Sequence, residues 1–172
     1  RHGMKYELTD ETIDVSGRTL FRIRALAAIP RHNVKAGDLG GFVEAEANLA
    51  HEDDAWVFGD ALVSGDARVF GRAWVFGRAW VFGRAWVYGD ARVSGDAWVF
   101  GNAQVSGDAR VSGDADLIVV GPIGSRGGYL TVARDATIKW RASTGCFSGS
   151  LAKLRGAVAT THKSGRYRRE YE

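Results

Sequence analysis

Between Ala55 and Ala115, apolar and small residues recur every six positions. Val57, Val63, Val69 and their successors to Val111, followed by Leu117, are spaced by six without a slip, and Ala55, Ala61, Ala67 and onward to Ala115 precede them by two. In an extended triplet such as Trp74-Val75-Phe76, neighbouring side chains point to opposite faces, so valine faces one way and both aromatics the other. Gly77-Arg78 then makes a corner, and Ala79 is small enough to tuck inside the bend. No helix places apolar residues six apart with a glycine at each turn. The pattern predicts a short strand and a corner per hexad. Three hexads would close one coil, with coils stacked about 4.8 Å apart by parallel pairing.

The charged corner residues test that coil length. At a spacing of 18, Asp60, Arg78 and Asp96 stack, as do Asp66, Arg84 and Asn102, and Arg72, Asp90 and Asp108. Three successive arginines thus become rungs of alternating sign, whereas shorter coils would pile Arg on Arg. The same spacing puts Trp56 under Trp74, Trp80 under Trp98, Phe82 under Phe100 and Phe70 under Tyr88. A three-sided β-helix of about four coils is the architecture expected for residues 41–120.

An aliphatic residue followed four places on by a small one, as in Val75 with Ala79 and Val81 with Ala85, resembles the left-handed parallel β-helix of the hexapeptide-repeat superfamily. The left hand is implied by that resemblance, against the usual right-handed crossover preference. Lys5-Tyr6-Glu7-Leu8-Thr9, Gly37-Asp38-Leu39-Gly40-Gly41, and Gly145-Cys146-Phe147-Ser148-Gly149 with His162 are similar to hexapeptide-repeat proteins carried by phages and prophages. The resemblance spans nearly the whole chain and brings no activity with it.

The flanks read differently from the coils. Arg1-His2-Gly3 ahead of Met4 are expected to be foreign to the natural chain. Within residues 4–40, Thr12–Val15 and Thr19–Arg24 flank Ser16-Gly17-Arg18 and predict a β-hairpin. Two residues too many separate Leu49 from Ala55 for the hexad, so His51-Glu52 is expected to form a bulge or a small loop pushed out from a corner. In residues 121–172, Gly121–Gly124 with Gly127-Gly128 read as a loop, and Tyr129–Val132 and Ala136–Trp140 as two strands turning at Arg134-Asp135. Ser150 is expected to cap a helix from Leu151 to about Thr161, with Leu151, Leu154 and Val158 as its apolar stripe. The fold class is therefore mainly β: a β-helix with an N-terminal hairpin and a small C-terminal α+β cap, the flanks covering exposed strand edges.

Composition changes the picture in two places. The net charge of +3 is uneven, with residues 1–55 at −3, residues 56–116 at −1 and residues 117–172 at +7. The basic character belongs to the C-terminal part. A single cysteine excludes an internal disulfide framework. No signal peptide or membrane-spanning run is read, and a cytoplasmic location in a bacterial host is expected.

The outward aromatics are the main functional feature. Trp56, Phe58, Trp74 and Phe76 should share one outer face, Trp80, Phe82, Trp98 and Phe100 a second, and Phe70, Trp86 and Tyr88 the third. Four large aromatics on one flat sheet exceed the bare apolar surface usual for soluble monomers. Cover from the hairpin, the tail helix or a second copy is expected, against a stacking platform for a planar ligand or a base beside Arg72, Arg78 and Arg84.

Candidate chemistry is sparse. The resemblance includes acyltransferases that use a histidine base between trimer subunits, yet Ala55 to Ala115 holds no histidine, leaving His51 as the one candidate near the coils. Cys146 ahead of the predicted helix and His162 near its end would make a nucleophile and base only if they met, and a helix of that length separates them by about 16 Å. His32, His51 and His162 lack metal-ligand spacing, so no metal or cofactor is expected. Lys163, Arg166, Arg168 and Arg169, interleaved with Tyr167 and Tyr171, are candidate anion contacts for phosphates. The reading is a non-enzymatic, oligomeric (dimeric or trimeric) interaction module, phage- or prophage-derived. It would bind a host protein or a small anionic ligand, with no membrane partner, and a role in countering host defence would suit it. A His51 acyltransferase and a nucleic-acid-binding tail are the alternatives.

Overall fold

Alternation within each hexad leaves only two residues per turn in strand geometry, and a computed structural model, which describes residues 3–162 and 165–171 apart from the Arg168 side chain, shows them as ten two-residue strands. These are β4 (Trp56–Val57), β5 (Leu62–Val63), β6 (Arg68–Val69), β7 (Trp74–Val75), β8 (Trp80–Val81), β9 (Trp86–Val87), β10 (Arg92–Val93), β11 (Trp98–Val99), β12 (Gln104–Val105) and β13 (Arg110–Val111). β1 (Tyr6–Val15), β2 (Arg18–Ala25) and β3 (Leu39–Val43) precede them; β14 (Leu117–Ile123), β15 (Gly128–Asp135), β16 (Lys139–Thr144), β17 (Phe147–Ser150), α1 (Leu151–Thr161) and α2 (Arg166–Tyr171) follow.

Each repeat strand from β4 to β10 pairs in parallel with the strand 18 residues on, Trp56 with Trp74, Trp80 with Trp98 and Val87 with Val105. Three parallel sheets result, β4-β7-β10-β13, β5-β8-β11 and β6-β9-β12. All the repeat valines are inward and buried, and the alanines from Ala55 to Ala109 line the same core. One valine and one alanine per hexad suffice because the interior is narrow. At the corners the glycines approach one another closely. Gly77 has φ +68°, and a Cβ there would lie 2.9 Å from the amide nitrogen of Gly95 in the next coil. Only a residue without a Cβ fits both requirements.

The insertion is visible in the register. β3 pairs Phe42 with Leu62 and Val43 with Val63, and Leu49 bridges Val69, a spacing of 20 instead of 18. The coil therefore begins at β3, and the two extra residues fall between Leu49 and Ala55. The hairpin turn at Ser16-Gly17 has both residues at positive φ, 53° and 76°, matching the twist of the flanking strands. Through β2 and β3 the hairpin extends the β5-β8-β11 sheet and closes one end of the coil stack.

The other end departs from the expectation. β14 to β17 form one four-stranded antiparallel sheet, so the stretch read as a Gly-Pro loop is mostly strand, with a cis Gly121–Pro122 peptide at its register shift. The turn lies at residues 136–138, later than Arg134-Asp135. The Asp135 carboxylate accepts from the amides of Thr137 and Ile138 and folds the chain there. Asp135 also meets the last coil, bridging Ala109, while the Thr131 hydroxyl accepts from the Gln104 amide. The Ser150 cap is present, its Oγ accepting from Lys153 N at 3.2 Å. Leu154 and Val158 are buried, but Leu151 faces solvent, so the apolar stripe is shorter than expected. The short helix α2 was not anticipated from the sequence.

Candidate functional site

The three outer faces, equivalent in sequence, differ in what lies on them. On the β4-β7-β10-β13 face, Trp56 is fully buried. Tyr6 meets it edge-on at 6.2 Å, and His32 from the Pro30–His32 turn packs on Trp74 at 4.9 Å and Phe58 at 6.1 Å. The chain's own N-terminal segment covers this patch, so Trp56 is no contact for another molecule. Phe76 remains beside Trp74 at 5.1 Å. On the second face Trp80 meets Trp98 edge-on at 5.5 Å and Phe82 stacks on Phe100 at 5.4 Å. Trp98 and Phe100 are each 52 % exposed, and β11 is the outermost strand of its sheet. On the third face Phe70 lies parallel to Tyr88 at 4.8 Å, and Trp86 is 40 % exposed.

The corner charges pair across coils in two of the three columns. Arg72 Nη2 is 2.7 Å from Asp90 and Arg78 Nε is 2.9 Å from Asp96. Arg84, set between Asp66 and Asn102, makes no ion pair among the described residues. Exposed pairs of this kind contribute at most about 1 kcal/mol each, so they support register more than stability.

His51 is held firmly. Its ring lies 4.2 Å from that of Tyr6 at an interplanar angle of 12°, and its Nδ1 accepts from the Lys5 backbone amide at 3.2 Å. A backbone N–H can only donate, so Nδ1 carries the lone pair and the neutral ring has its proton on Nε2. Among the described residues Nε2 has no hydrogen-bond partner, and it sits 3.9 Å from a Glu46 carboxylate oxygen. The residue borders a groove of about 480 Å3 with Glu46, Glu52, Arg68, Phe70 and Trp86. The second nitrogen is thus a buried donor in this arrangement, which does not suit the general-base role. Lys5 anchors the same insertion, its Nζ donating to Asp53 O at 2.9 Å and Ala55 O at 2.7 Å. Burial lowers the Lys5 pKa, and Asp53 opposes that.

No hydrogen bond joins Cys146 to His162 among the described residues, although His162 lines a hollow with Thr144 and Phe147. Cys146 is exposed in the turn between β16 and β17, separated from the start of α1 by a whole strand, so neither a helix dipole nor core packing acts on it. His162 ends α1 and stacks near Tyr171 at 6.4 Å. Of the basic tail, Lys163 and the side chain of Arg168 lie outside the described residues. Arg166 is paired with Glu170 at 2.8 Å, whose carboxylate also accepts from Gly124 N, and Arg169 is exposed. The tail is largely a folded helix docked through Tyr171 on Leu154 and Val158. No three His, Cys, Asp or Glu side chains converge as metal ligands among the described residues, and no helix there is long and apolar enough to cross a membrane.

A second groove of about 430 Å3 was missed by the sequence reading. Arg31, His32, Arg72, Trp74, Asp90, Arg92, Asp108 and Arg110 line it. The repeat explains Arg92 and Arg110, which are direct neighbours in β10 and β13. Arg31 and His32 come from the N-terminal segment, whose docking place no periodicity encodes.

A family model described as the YdcK beta solenoid repeat matches residues 85–101 and 103–115. No curated protein matches the chain. The matched segments lie inside the stack defined by the 18-residue register, and the body of this chain is a β-solenoid.

Proposed function

We propose that the protein is a non-enzymatic, self-associating binding module, a phage- or prophage-encoded accessory whose coils are three-sided and left-handed as in hexapeptide-repeat proteins. The observation that carries the reading is the contiguous patch of Trp80, Phe82, Trp98 and Phe100. Two of its four rings are more than half exposed, on the outermost strand of a sheet. Water-facing Trp and Phe in contact with one another are the usual composition of an interface core. A second copy is the occupant favoured here, in a closed dimer or trimer that buries the patch. The solenoid then acts as a rigid scaffold, presenting its remaining grooves to a host protein or a small anion.

Light scattering after size-exclusion chromatography tests this. The parent chain is expected as a dimer or trimer and Trp98→Ser/Phe100→Ser as a monomer with unchanged circular dichroism. A monomeric parent, or a variant that keeps the parent's mass, overturns the self-association.

A further inference from the structure

The groove between the Pro30–His32 turn and the β7-β10-β13 rungs is more basic than its own acids balance. Asp90 is already taken, with Arg31 Nη2 at 2.8 Å on one oxygen and Arg72 Nη2 at 2.7 Å on the other. Arg92 and Arg110 sit directly opposite each other in a parallel pair, a like-charge arrangement that weakens a sheet. Asp108 lines the groove but forms no ion pair among the described residues. The lining thus holds four arginines against two aspartates, a formal excess of two positive charges.

The arginines are also held in place. Arg92 lies over the Trp74 ring at 5.0 Å, which steadies its guanidinium by a cation–π contact. Arg110 Nη1 donates to the carbonyls of Asp90 and Ala109, both at 2.9 Å. His32 is only 8 % exposed, and among the described residues neither of its ring nitrogens has a hydrogen-bond partner; Trp74 Nε1 likewise has none. Buried polar atoms left unpaired are costly, and a native fold leaves few of them. Burial, reinforced by Arg31, pushes the His32 pKa down, so the ring packs against the groove without adding charge.

The geometry points to a binding site for a phosphate dianion, free or carried as a monoester on a small molecule, between Arg31, Arg92 and Arg110. A phosphate carries close to two charges at neutral pH and offers three or more acceptor oxygens. Guanidinium groups match it with paired N–H donors. A monocarboxylate would leave half the excess charge unbalanced. The site deepens the binding half of the proposal above and does not depend on self-association.

Titration calorimetry of the whole chain at fixed ionic strength tests it, with inorganic phosphate in one arm and ribose 5-phosphate in the other. One saturable site per chain is expected. Arg92→Gln and Arg110→Gln should each weaken binding by about tenfold or more, the usual loss for a charge-assisted contact. Arg84→Gln, on another corner and also without an ion pair, should leave it unchanged. Tighter binding of the ester identifies a phosphorylated metabolite, and equal binding identifies free phosphate; both support the site. Absence of saturable binding in both arms, or an Arg84→Gln loss equal to that of Arg92→Gln, overturns it. Trp98→Ser/Phe100→Ser should keep the affinity, so failure of the assembly and failure of this site read out separately.

Discussion

The ring of His51 lies flat on that of Tyr6, and the Tyr6 hydroxyl shares its one proton between the carbonyls of Glu46 and Leu49 at 2.9 and 2.8 Å. One tyrosine from the first strand thereby holds His51 of the two-residue insertion and the chain just ahead of it, where the coil leaves its regular spacing.

Removing that hydroxyl takes away the one donor the two carbonyls share. Tyr6→Phe is expected to lower the free energy of unfolding by about 1–2 kcal/mol. Burial pushes the Tyr6 phenol well above its ordinary pKa, so the folded chain prefers the protonated form. Its contribution is complete below the unfolded value of about 10 and declines as pH rises beyond it. Urea midpoints measured from about pH 8 to 11 should fall more steeply for the parent than for Tyr6→Phe, and parallel curves would contradict the assignment.

Asp135 controls the opposite end. Burial alone would raise its carboxyl. Hydrogen bonds from Thr137 and Ile138, together with Arg141 at 2.6 Å, outweigh that and bring its pKa from 3.8 to about 2. Its contribution, roughly 2 kcal/mol, is present above the unfolded value and is lost as pH falls through the folded one. Acid titration followed by circular dichroism should show an unfolding component in that window that is missing in Asp135→Asn, which starts less stable at neutral pH.

The corner geometry makes a graded prediction for glycines. Gly77→Ala combines a left-handed backbone with a contact 2.9 Å from the next coil, and a loss of roughly 2–3 kcal/mol is expected. Gly113 has extended backbone at φ −174° and nothing within 4 Å of a Cβ, so Gly113→Ala should stay within about 0.5 kcal/mol. Thermal melts that rank the two equally would refute the close-approach argument.

Cys146 should behave as an ordinary surface thiol. Native protein is expected to react with one equivalent of a disulfide reagent about as fast as the urea-unfolded chain, with no change in melting temperature. Protection in the folded state would place the β16–β17 turn elsewhere.

The coils were legible because their determinants are local and repeated. Valine at the middle of each triplet, alanine two before it and glycine at the corner were enough to predict three sheets at a spacing of 18, and the surplus after Leu49 marked the insertion. The cap was less legible. The turn after Asp135 depends on which amides its carboxylate reaches, and Gly121-Pro122 fits a strand only because β15 lies beside it.

Periodicity alone made the three outer faces look alike, each a column of outward aromatics. Tertiary packing set them apart: Tyr6 and His32 fold back over Trp56 and Trp74, the second face stays open at Trp98, and Arg31 arrives beside Arg92 and Arg110. A repeat specifies what points outward because that depends on neighbours one and two residues away. Which outward residue is covered depends on a segment dozens of residues distant, whose docking is decided by shape and charge once the solenoid has formed.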